Sequence, residues 1–242
     1  MSANRRFVVG VINPTRGQDS LGELEGLLPK GVEIIRDSLD IREQTEEEFK
    51  SVLDETAGRV DALAAQHVDL IHPIGAPVFM VHGYDGEQRI IGDWTAKHGI
   101  PIFTSGQSHV NAMRALGIRR FVGLSPLSAR INEIAAAYFR DAGFDVLAFE
   151  RARGPETDRR AITWQEAATQ AKGLFEANPG ADGVYFISSG WRILDAVPAL
   201  EQELGVPVVH PVTARVWEIE RRLNLNQPMS GFGRLLEALP TA

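Results

Sequence analysis

The chain alternates short apolar runs with longer segments whose apolar residues recur every three or four positions. The short runs are bounded by Gly, Pro, Asn or Ser and predict buried strands. They lie at residues 7–12, 32–35, 68–74, 100–103, 121–124, 145–149, 183–187 and 206–209. The longer segments predict helices at residues 46–66, 108–116, 128–142, 164–177, 192–204 and 213–223. Strand and helix alternate, which predicts an α/β fold with parallel sheets covered by helices.

The second half of the chain repeats the pattern of the first half. Three pairs of segments match in the same order, namely residues 7–14 with 120–126, 68–77 with 183–191, and 98–116 with 204–223. The repeat predicts two similar α/β lobes related by a pseudo-twofold axis. Residues 1–116 and 226–242 would form the first lobe, with the last segment crossing back, and residues 117–225 the second.

The ends of the predicted strands indicate where a site would form. In open parallel sheets, ligands bind outside the carboxyl ends of the strands, where loops and helix N-termini present unsatisfied N–H groups. The matched loop positions that follow strands are Asn13, Gly75, Thr104, Ser125, Ser189 and His210. We therefore predict that the site lies in the cleft between the two lobes.

The two halves differ after their second matched strand. The stretch from Gly75 to Gly99 is longer than its counterpart from Ser189 to Gly205, and the extra residues fall in "VFMVHGYDG". This segment predicts an excursion that folds over the cleft as a lid. His82 within it is either an ordinary surface side chain or a second acid or base that contacts substrate.

Composition and charge exclude several classes of function. The net charge is −7 and there is no basic patch with interleaved aromatic residues, so nucleic acid is not an expected partner. No stretch approaches 18 apolar residues and no signal-peptide core follows the N-terminus, so we expect a cytoplasmic protein without a membrane partner. There is no dinucleotide or phosphate-binding glycine motif and no metal motif, so no cofactor and no metal are predicted.

Several segments resemble the aspartate/glutamate racemase superfamily. They are "ALGIRRF", "NEIAAAYFRDAGFDV", "ISSGW", "LDAVPALEQELGVPVV" and "GFGRLL". Within that superfamily the chain is most similar to the group of arylmalonate decarboxylase and maleate cis-trans isomerase, and the similarity is specific from about residue 100 to residue 236. The resemblance implies a cofactor-independent enzyme, a small carboxylate substrate and a homo-oligomer.

The resemblance also places catalytic thiols at positions where this chain has none. The family's first-lobe and second-lobe cysteine positions fall on Gly75 and Ser189, and the chain contains no cysteine. The polar groups that surround the leaving carboxylate in the decarboxylase fall on Ala76, Pro77 and about Leu127, none of which keeps a polar side chain. The fold therefore transfers from the family, but the resemblance does not carry over the residues of the decarboxylase reaction, so that reaction does not transfer with the fold.

Ser189 and His210 are the first candidates for replacement chemistry. A serine hydroxyl is a poor base or nucleophile unless a neighbouring base takes its proton, and His210 follows the next strand of the same lobe. Alternatively, Ser188 and Ser189 cap the helix that starts near Gly190, and His210 is a structural histidine that ties two loops together.

Loop amides and hydroxyls are candidates for carboxylate binding, because helix N-termini and oxyanion holes use such donors. The candidate substrate-binding residues are Asn13, Gly75, Ala76, Pro77, Thr104, Ser105, Ser125, Ser188 and Gly190. Arg192 and Arg215 lie just inside helices that begin at the predicted cleft, where each either binds the carboxylate or lies on a solvated face. His109 has no comparable positional argument, and His72 fits the core of a strand.

Three functions follow from these residues. The first is an isomerase or lyase that acts on a small carboxylate or related carbonyl compound by proton transfer and by stabilisation of an enolate or oxyanion, including decarboxylation or hydration. His210, Ser189 and His82 would then move protons. The second is a hydrolase of a small amide, imide or ester in which His210 activates Ser189. The third is a non-catalytic protein that binds small carboxylates.

Overall fold

The computed structural model describes residues 6–15, 21–155, 161–187 and 190–239 of the chain. The strands are β1 (Phe7–Asn13), β2 (Val32–Ser38), β3 (Leu70–Pro73), β4 (Arg120–Ser125), β5 (Asp145–Arg151), β6 (Gly183–Phe186) and β7 (Val208–Val209). The helices are α1 (Leu21–Gly26), α2 (Glu46–Ser51), α3 (Leu53–Ala64), α4 (Ala76–Met80), α5 (Tyr84–His98), α6 (Ser105–Ala115), α7 (Ala129–Asp141), α8 (Trp164–Glu176), α9 (Ala196–Leu204), α10 (Pro211–Arg222) and α11 (Arg234–Ala238). The predicted α/β fold is confirmed.

The strands form two parallel sheets with the same relative order. The first sheet has the order β2-β1-β3, and the second has the order β5-β4-β6-β7. A parallel bridge between Ile71 and Ile102 continues the first sheet at the position that β7 occupies in the second. This correspondence agrees with the repeat, while the pseudo-twofold axis and the lobe boundaries stay predictions.

Local sequence accounts for where the elements begin and end. β1 reads FVVGVIN and is buried over its last five residues, as expected for a parallel strand covered on both faces. The Ser128 side chain accepts a hydrogen bond from the Ile131 amide and so caps α7. Gly99 and Gly205 end α5 and α9 with φ of 66° and 72°, a conformation that glycine adopts without steric cost.

One hydrophobic core joins the two sheets. Its buried members include Val11 of β1, Phe121 of β4, Tyr185 of β6 and Trp217 of α10. A smaller cluster of buried residues covers the other face of the second sheet and includes Trp191. Helices α6 and α10 pack against each other between the sheets, so side chains on these two helices can meet at one place.

The C-terminal segment contacts both parts of the chain. The Lys30 amide donates to Gln227 Oε1 at 2.9 Å, and Gln227 Nε2 donates back to the Lys30 carbonyl at 3.2 Å. Farther on, the Arg234 amide donates to Glu201 Oε2 at 2.8 Å. The predicted return to the first lobe is therefore seen at Gln227, whereas the start of α11 is bonded to α9.

The predicted lid is wrong. Residues 78–86 belong to α4, a short turn and the start of α5, and Val78, Phe79 and Met80 are buried in the core. Burial of three consecutive apolar side chains fixes this segment against the body of the molecule, and a mobile flap would leave them exposed.

Within the described part of the chain, no helix is long and apolar enough to cross a membrane.

Candidate active site

A pocket lies at the carboxyl ends of the strands, between the starts of α4, α6 and α10. It is partly open to solvent. Predicted site residues that line it are Asn13, Gly75, Ala76, Pro77, Ser105 and Gly190. Apolar side chains from Ile41, Phe49, Val78 and Leu127 form much of the remaining wall. The structure therefore brings together six of the predicted residues.

Gly75 shapes the pocket through its backbone. It adopts φ of 106° and ψ of 88°, a region that side-chain-bearing residues rarely occupy. A Cβ added there would lie 3.1 Å from Val78 Cγ2 and 3.3 Å from Pro14. The Gly75 amide donates to Ser105 Oγ at 3.2 Å, which ties the loop before α4 to the first residue of α6.

Arg215 brings a buried positive charge to the pocket. The residue is 1% exposed, yet it lines the pocket from α10. Its Nε and Nη1 have no hydrogen-bond partner among the described residues. Burial lowers the pKa of the guanidinium to about 9, and the charge of Glu23 opposes that effect, so Arg215 is protonated at neutral pH. A buried cation with unused donors is suited to bind an anion.

His109 also lines the pocket and was not singled out by the sequence. Its Nδ1 lies 2.8 Å from the hydroxyl of Tyr185, and its Nε2 has no partner among the described residues. Burial, followed by the charges of Arg215, His210 and His72, lowers the pKa of His109 well below 6.5. His109 is therefore neutral at neutral pH in the ligand-free protein.

His210 is buried behind the pocket wall. It is the N-cap of α10, where its Nδ1 accepts a hydrogen bond from the Val212 amide at 3.3 Å. It is not among the residues that line the pocket. Burial first, and then the charge of Arg215, lowers the pKa of His210 to about 3, against a weaker opposing effect of the Trp191 backbone. This placement fits the structural alternative for His210, and the predicted pairing with Ser189 gains no support from it.

Thr104 and Ser125 are bonded within the protein and do not line the pocket. The Thr104 hydroxyl accepts from the Gln107 amide at 3.1 Å and donates to Glu87 Oε1 at 2.6 Å. The Ser125 hydroxyl donates to Asn132 Oδ1 and accepts from the Leu127 amide at 3.1 Å. Both hydroxyls are committed to holding helix starts, so the structure does not bring them to the site as expected.

Three further predicted site residues are not found at the pocket among the described residues: His82, Ser188 and Ser189. His82 lies in the turn between α4 and α5, outside the pocket lining, and burial followed by the charge of Lys50 lowers its pKa. Ser188 and Ser189 lie outside the described residues. His72 is buried in β3, as predicted, and stacks on the ring of Phe103 at 4.1 Å.

The internal repeat contained a signal for His109, which the sequence had not singled out, and it pairs His109 with the candidate Arg215. The match of Thr104 with His210 makes His109 the counterpart of Arg215. Each residue lies four positions after the first residue of its helix, Ser105 in α6 and Pro211 in α10, and therefore on the same helix face as that residue. The pocket is thus lined by the same position from each half of the chain.

Comparison with known proteins gives one consistent family. A family model described as arylmalonate decarboxylase matches residues 9–236. Arylmalonate decarboxylase from Bordetella bronchiseptica is 27% identical over 207 residues, which are 84% of this chain and 85% of that protein.

Solved structures share the fold. A crystal structure of arylmalonate decarboxylase has a TM-score of 0.83 and 22% identity, covering 95% of this chain and 99% of that one. A mutant maleate cis-trans isomerase from Nocardia farcinica was solved with a covalently bound succinylcysteine intermediate. It has a TM-score of 0.82 and 21% identity, covering 96% of this chain and 98% of that one.

Proposed function

The chain belongs to the arylmalonate decarboxylase family, and on that premise we propose that it is a cofactor-independent enzyme of the isomerase or lyase type that acts on a small carboxylate. The guanidinium of Arg215 carries this proposal: it is buried and positively charged, it lines the pocket, and its Nε and Nη1 have no partner among the described residues. A carboxylate would supply two acceptor oxygens to those donors.

The rest of the pocket suits a substrate with an anionic end and an apolar body. Ser105 offers a hydroxyl close to Gly75, and the amide of Ala76 opens α4, where N–H groups have no partner within the helix. Ile41, Phe49 and Leu127 can contact an apolar group. These donors would stabilise negative charge that develops on the substrate as an enolate forms.

The chemistry must proceed without a thiol. The Nocardia farcinica relative was solved with a succinylcysteine intermediate, and this chain has no cysteine with which to form one. The positions matched to the family's thiols are Gly75, whose backbone conformation excludes most side chains, and Ser189. We therefore assign proton transfer in this protein to a group other than a thiol.

The proposal is tested by carboxylate binding to wild type and to two matched arginine variants. Calorimetry would use malonate, phenylmalonate and maleate, with neutral malonamide as the uncharged control. Arg215→Met is expected to weaken binding of the preferred carboxylate by about 30-fold or more, because it removes a charged donor pair. Arg221→Met removes a part-exposed arginine of the same helix that lies outside the pocket lining, and it should leave affinity within threefold.

The free energy of unfolding, measured without ligand, shows whether Arg215→Met affects the binding site alone or the whole fold. Within the part of the chain that the structure describes, two donors of Arg215 have no partner, so its replacement by methionine should not lower the free energy of unfolding in the absence of ligand. Equal carboxylate affinity of wild type and Arg215→Met would refute the proposed role of Arg215. Binding of carboxylates without turnover of phenylmalonate or maleate would favour the non-catalytic binding protein.

A further inference from the structure

His109 is a buried histidine of the pocket that the proposed carboxylate contact at Arg215 does not use. The residue is 1% exposed and lines the pocket from α6. One ring nitrogen, Nδ1, is held by the Tyr185 hydroxyl at 2.8 Å, while Nε2 has no partner among the described residues. Nε2 of His72, His82 and His210 is likewise unpaired among the described residues, but of these four histidines only His109 lines the pocket, where a ligand would supply the missing partner.

We propose that His109 is the catalytic residue that carries the proton in this pocket, taking one up when a carboxylate binds at Arg215 and delivering it from Nε2 to the carbon next to that carboxylate. The inference deepens the proposed function and rests on it, because it uses the same pocket and the same anionic substrate. It replaces the absent thiol with an imidazole.

The electrostatics of the pocket explain why the proton would arrive with the substrate. The groups that face His109 are Arg215 on α10, His210 at the N-cap of that helix, His72 on β3 and Tyr185 on β6. Burial and the positive charge of Arg215 keep the ring neutral in the empty pocket. A bound carboxylate neutralises Arg215 and adds a negative charge, and both effects favour the imidazolium form.

Tyr185 serves as a positioning residue. It is fully buried, and burial raises its pKa well above 10, so its hydroxyl stays protonated. The hydroxyl can donate to Nδ1 of the neutral ring and accept from Nδ1 when the ring is charged. In both states it holds the ring by the nitrogen on the far side from Nε2, which leaves Nε2 for the substrate.

The step balances without an added oxidant or reductant. In a malonate, the bond from the central carbon to the leaving carboxylate breaks, and CO₂ departs. The electron pair stays on the central carbon and spreads into the carboxylate held at Arg215 as an enediolate. The proton on Nε2 of His109 then bonds to that carbon, and His109 returns to the neutral form, ready for the proton that accompanies the next substrate.

Proton uptake on binding is the first test. Malonate binding would be measured by calorimetry near pH 7.5 in two zwitterionic buffers whose ionisation enthalpies differ, so that the number of protons taken up can be obtained. Wild type should take up as much as one proton per malonate bound. His109→Gln should take up none and should bind malonate several-fold more weakly, because it loses the free energy that protonation adds to binding. His82→Gln, a histidine variant outside the pocket lining, should behave as wild type.

Turnover is the second test and separates a catalytic role from a structural one. With phenylmalonate and maleate in D₂O, His109→Gln should lose about 100-fold or more in kcat, a much larger factor than the change in KM, and deuterium should enter the wild-type product at the carbon next to the carboxylate. Tyr185→Phe should lower kcat less and shift the pH dependence of kcat, because the ring loses its hydrogen bond at Nδ1.

The outcomes distinguish this inference from the function on which it rests. Proton uptake that persists in His109→Gln, or malonate binding to wild type without any uptake, would overturn the role of His109 and leave the carboxylate site at Arg215 standing. Failure of malonate, phenylmalonate and maleate to bind wild type would overturn both.

Discussion

At the residue scale, some buried polar atoms without a partner among the described residues lie at the pocket, while others, on His72, His82 and His210, lie outside its lining. Thr15 Oγ1, His109 Nε2, and Nε and Nη1 of Arg215 all belong to residues that line it. Leaving a buried donor or acceptor unpaired costs about 1–3 kcal/mol, so such atoms are scarce in folded proteins. A polar ligand in the pocket would complete the hydrogen bonds of the atoms that line it.

Gly75 determines the shape of the same pocket, and its replacement should reduce stability. Gly75→Ala places a side chain at φ of 106° and within 3.1 Å of Val78 Cγ2, which should lower the free energy of unfolding by about 1–2 kcal/mol or more. Urea denaturation followed by circular dichroism would measure the change.

Gly92→Ala is the matched control for that substitution. Gly92 lies in the interior of α5, and nothing lies within 4 Å of an added Cβ. Alanine should therefore stabilise the protein by about 0.5–1 kcal/mol, since glycine is the poorer helix former. If both variants changed stability by the same amount and in the same direction, backbone conformation at Gly75 would not be the cause.

At the scale of elements, α6 and α10 position the site together. Thr104 and His210, which the repeat matches, are both N-caps, and each accepts a hydrogen bond from a backbone amide of its own helix. The two helices pack against each other, so the positions one turn farther on, His109 and Arg215, converge on one pocket. The cap residues therefore support the site through helix placement and do not themselves line it.

The start of α6 is held by a buried carboxyl group. Glu87 on α5 accepts hydrogen bonds from the hydroxyls of Thr104 and Tyr138 and is completely buried. Burial raises the pKa of Glu87 from 4.5 to about 7, against the opposing effect of the two hydroxyls. A proton on this carboxyl group is therefore favoured in the folded protein.

The raised pKa of Glu87 predicts that the free energy of unfolding depends on pH. The folded pKa lies above the unfolded one, so the contribution of Glu87 is full below about pH 4.5 and is lost as pH rises to about 7. The rise of the pKa from 4.5 to about 7 corresponds to a loss of about 3 kcal/mol in the free energy of unfolding, at about 1.36 kcal/mol per pKa unit. Glu87→Gln should remove it, so that urea denaturation at pH 5 and pH 8 shows a smaller difference than in wild type.

Glu133→Gln, at an exposed position on α7, is the control for this experiment and should keep the wild-type difference between the two pH values. Because the other titrating groups are shared by all three proteins, the comparison isolates Glu87. An unchanged pH dependence in Glu87→Gln would show that this carboxyl group has an ordinary pKa in the folded protein.

At the scale of the whole molecule, the two sheets are joined by a shared core. Residues from β1, β4, β6 and α10 belong to one cluster of buried side chains, and the segment after α10 bonds back to Lys30. The proposed lobes, residues 1–116 with 226–242 and residues 117–225, are therefore not separated by a solvent-filled gap. The predicted homo-oligomer and cytoplasmic location concern assemblies and compartments beyond a single chain and stay predictions.

The shared core predicts cooperative unfolding. Pulsed hydrogen exchange read by mass spectrometry at increasing urea should show peptides from β1 and from β4 losing protection at the same urea concentration, because unfolding one sheet exposes apolar surface of the other. Two well-separated midpoints would contradict this expectation and would support independent domains with the proposed boundaries.

Periodicity and the internal repeat predicted much of the fold. The apolar runs marked the strands, although the run at residues 100–103 forms only a single bridge at Ile102, and the predicted helix at residues 46–66 is divided into α2 and α3. The segment after Gly75 was misread because glycines and polar residues suggested a flap, whereas burial of Val78, Phe79 and Met80 made it helical core. Tertiary burial overrode local composition there.

The sequence by itself determined the α/β class, the parallel sheets, the family resemblance, the absence of a thiol and six residues of the pocket wall. Periodicity, repeats and residue types are local properties of a chain, so they can be read from the chain. Only the tertiary structure decided that His210 caps a helix while His109 and Arg215 face the pocket. Which side chain finds a partner depends on the packing of α6 against α10, which brings together residues about a hundred positions apart.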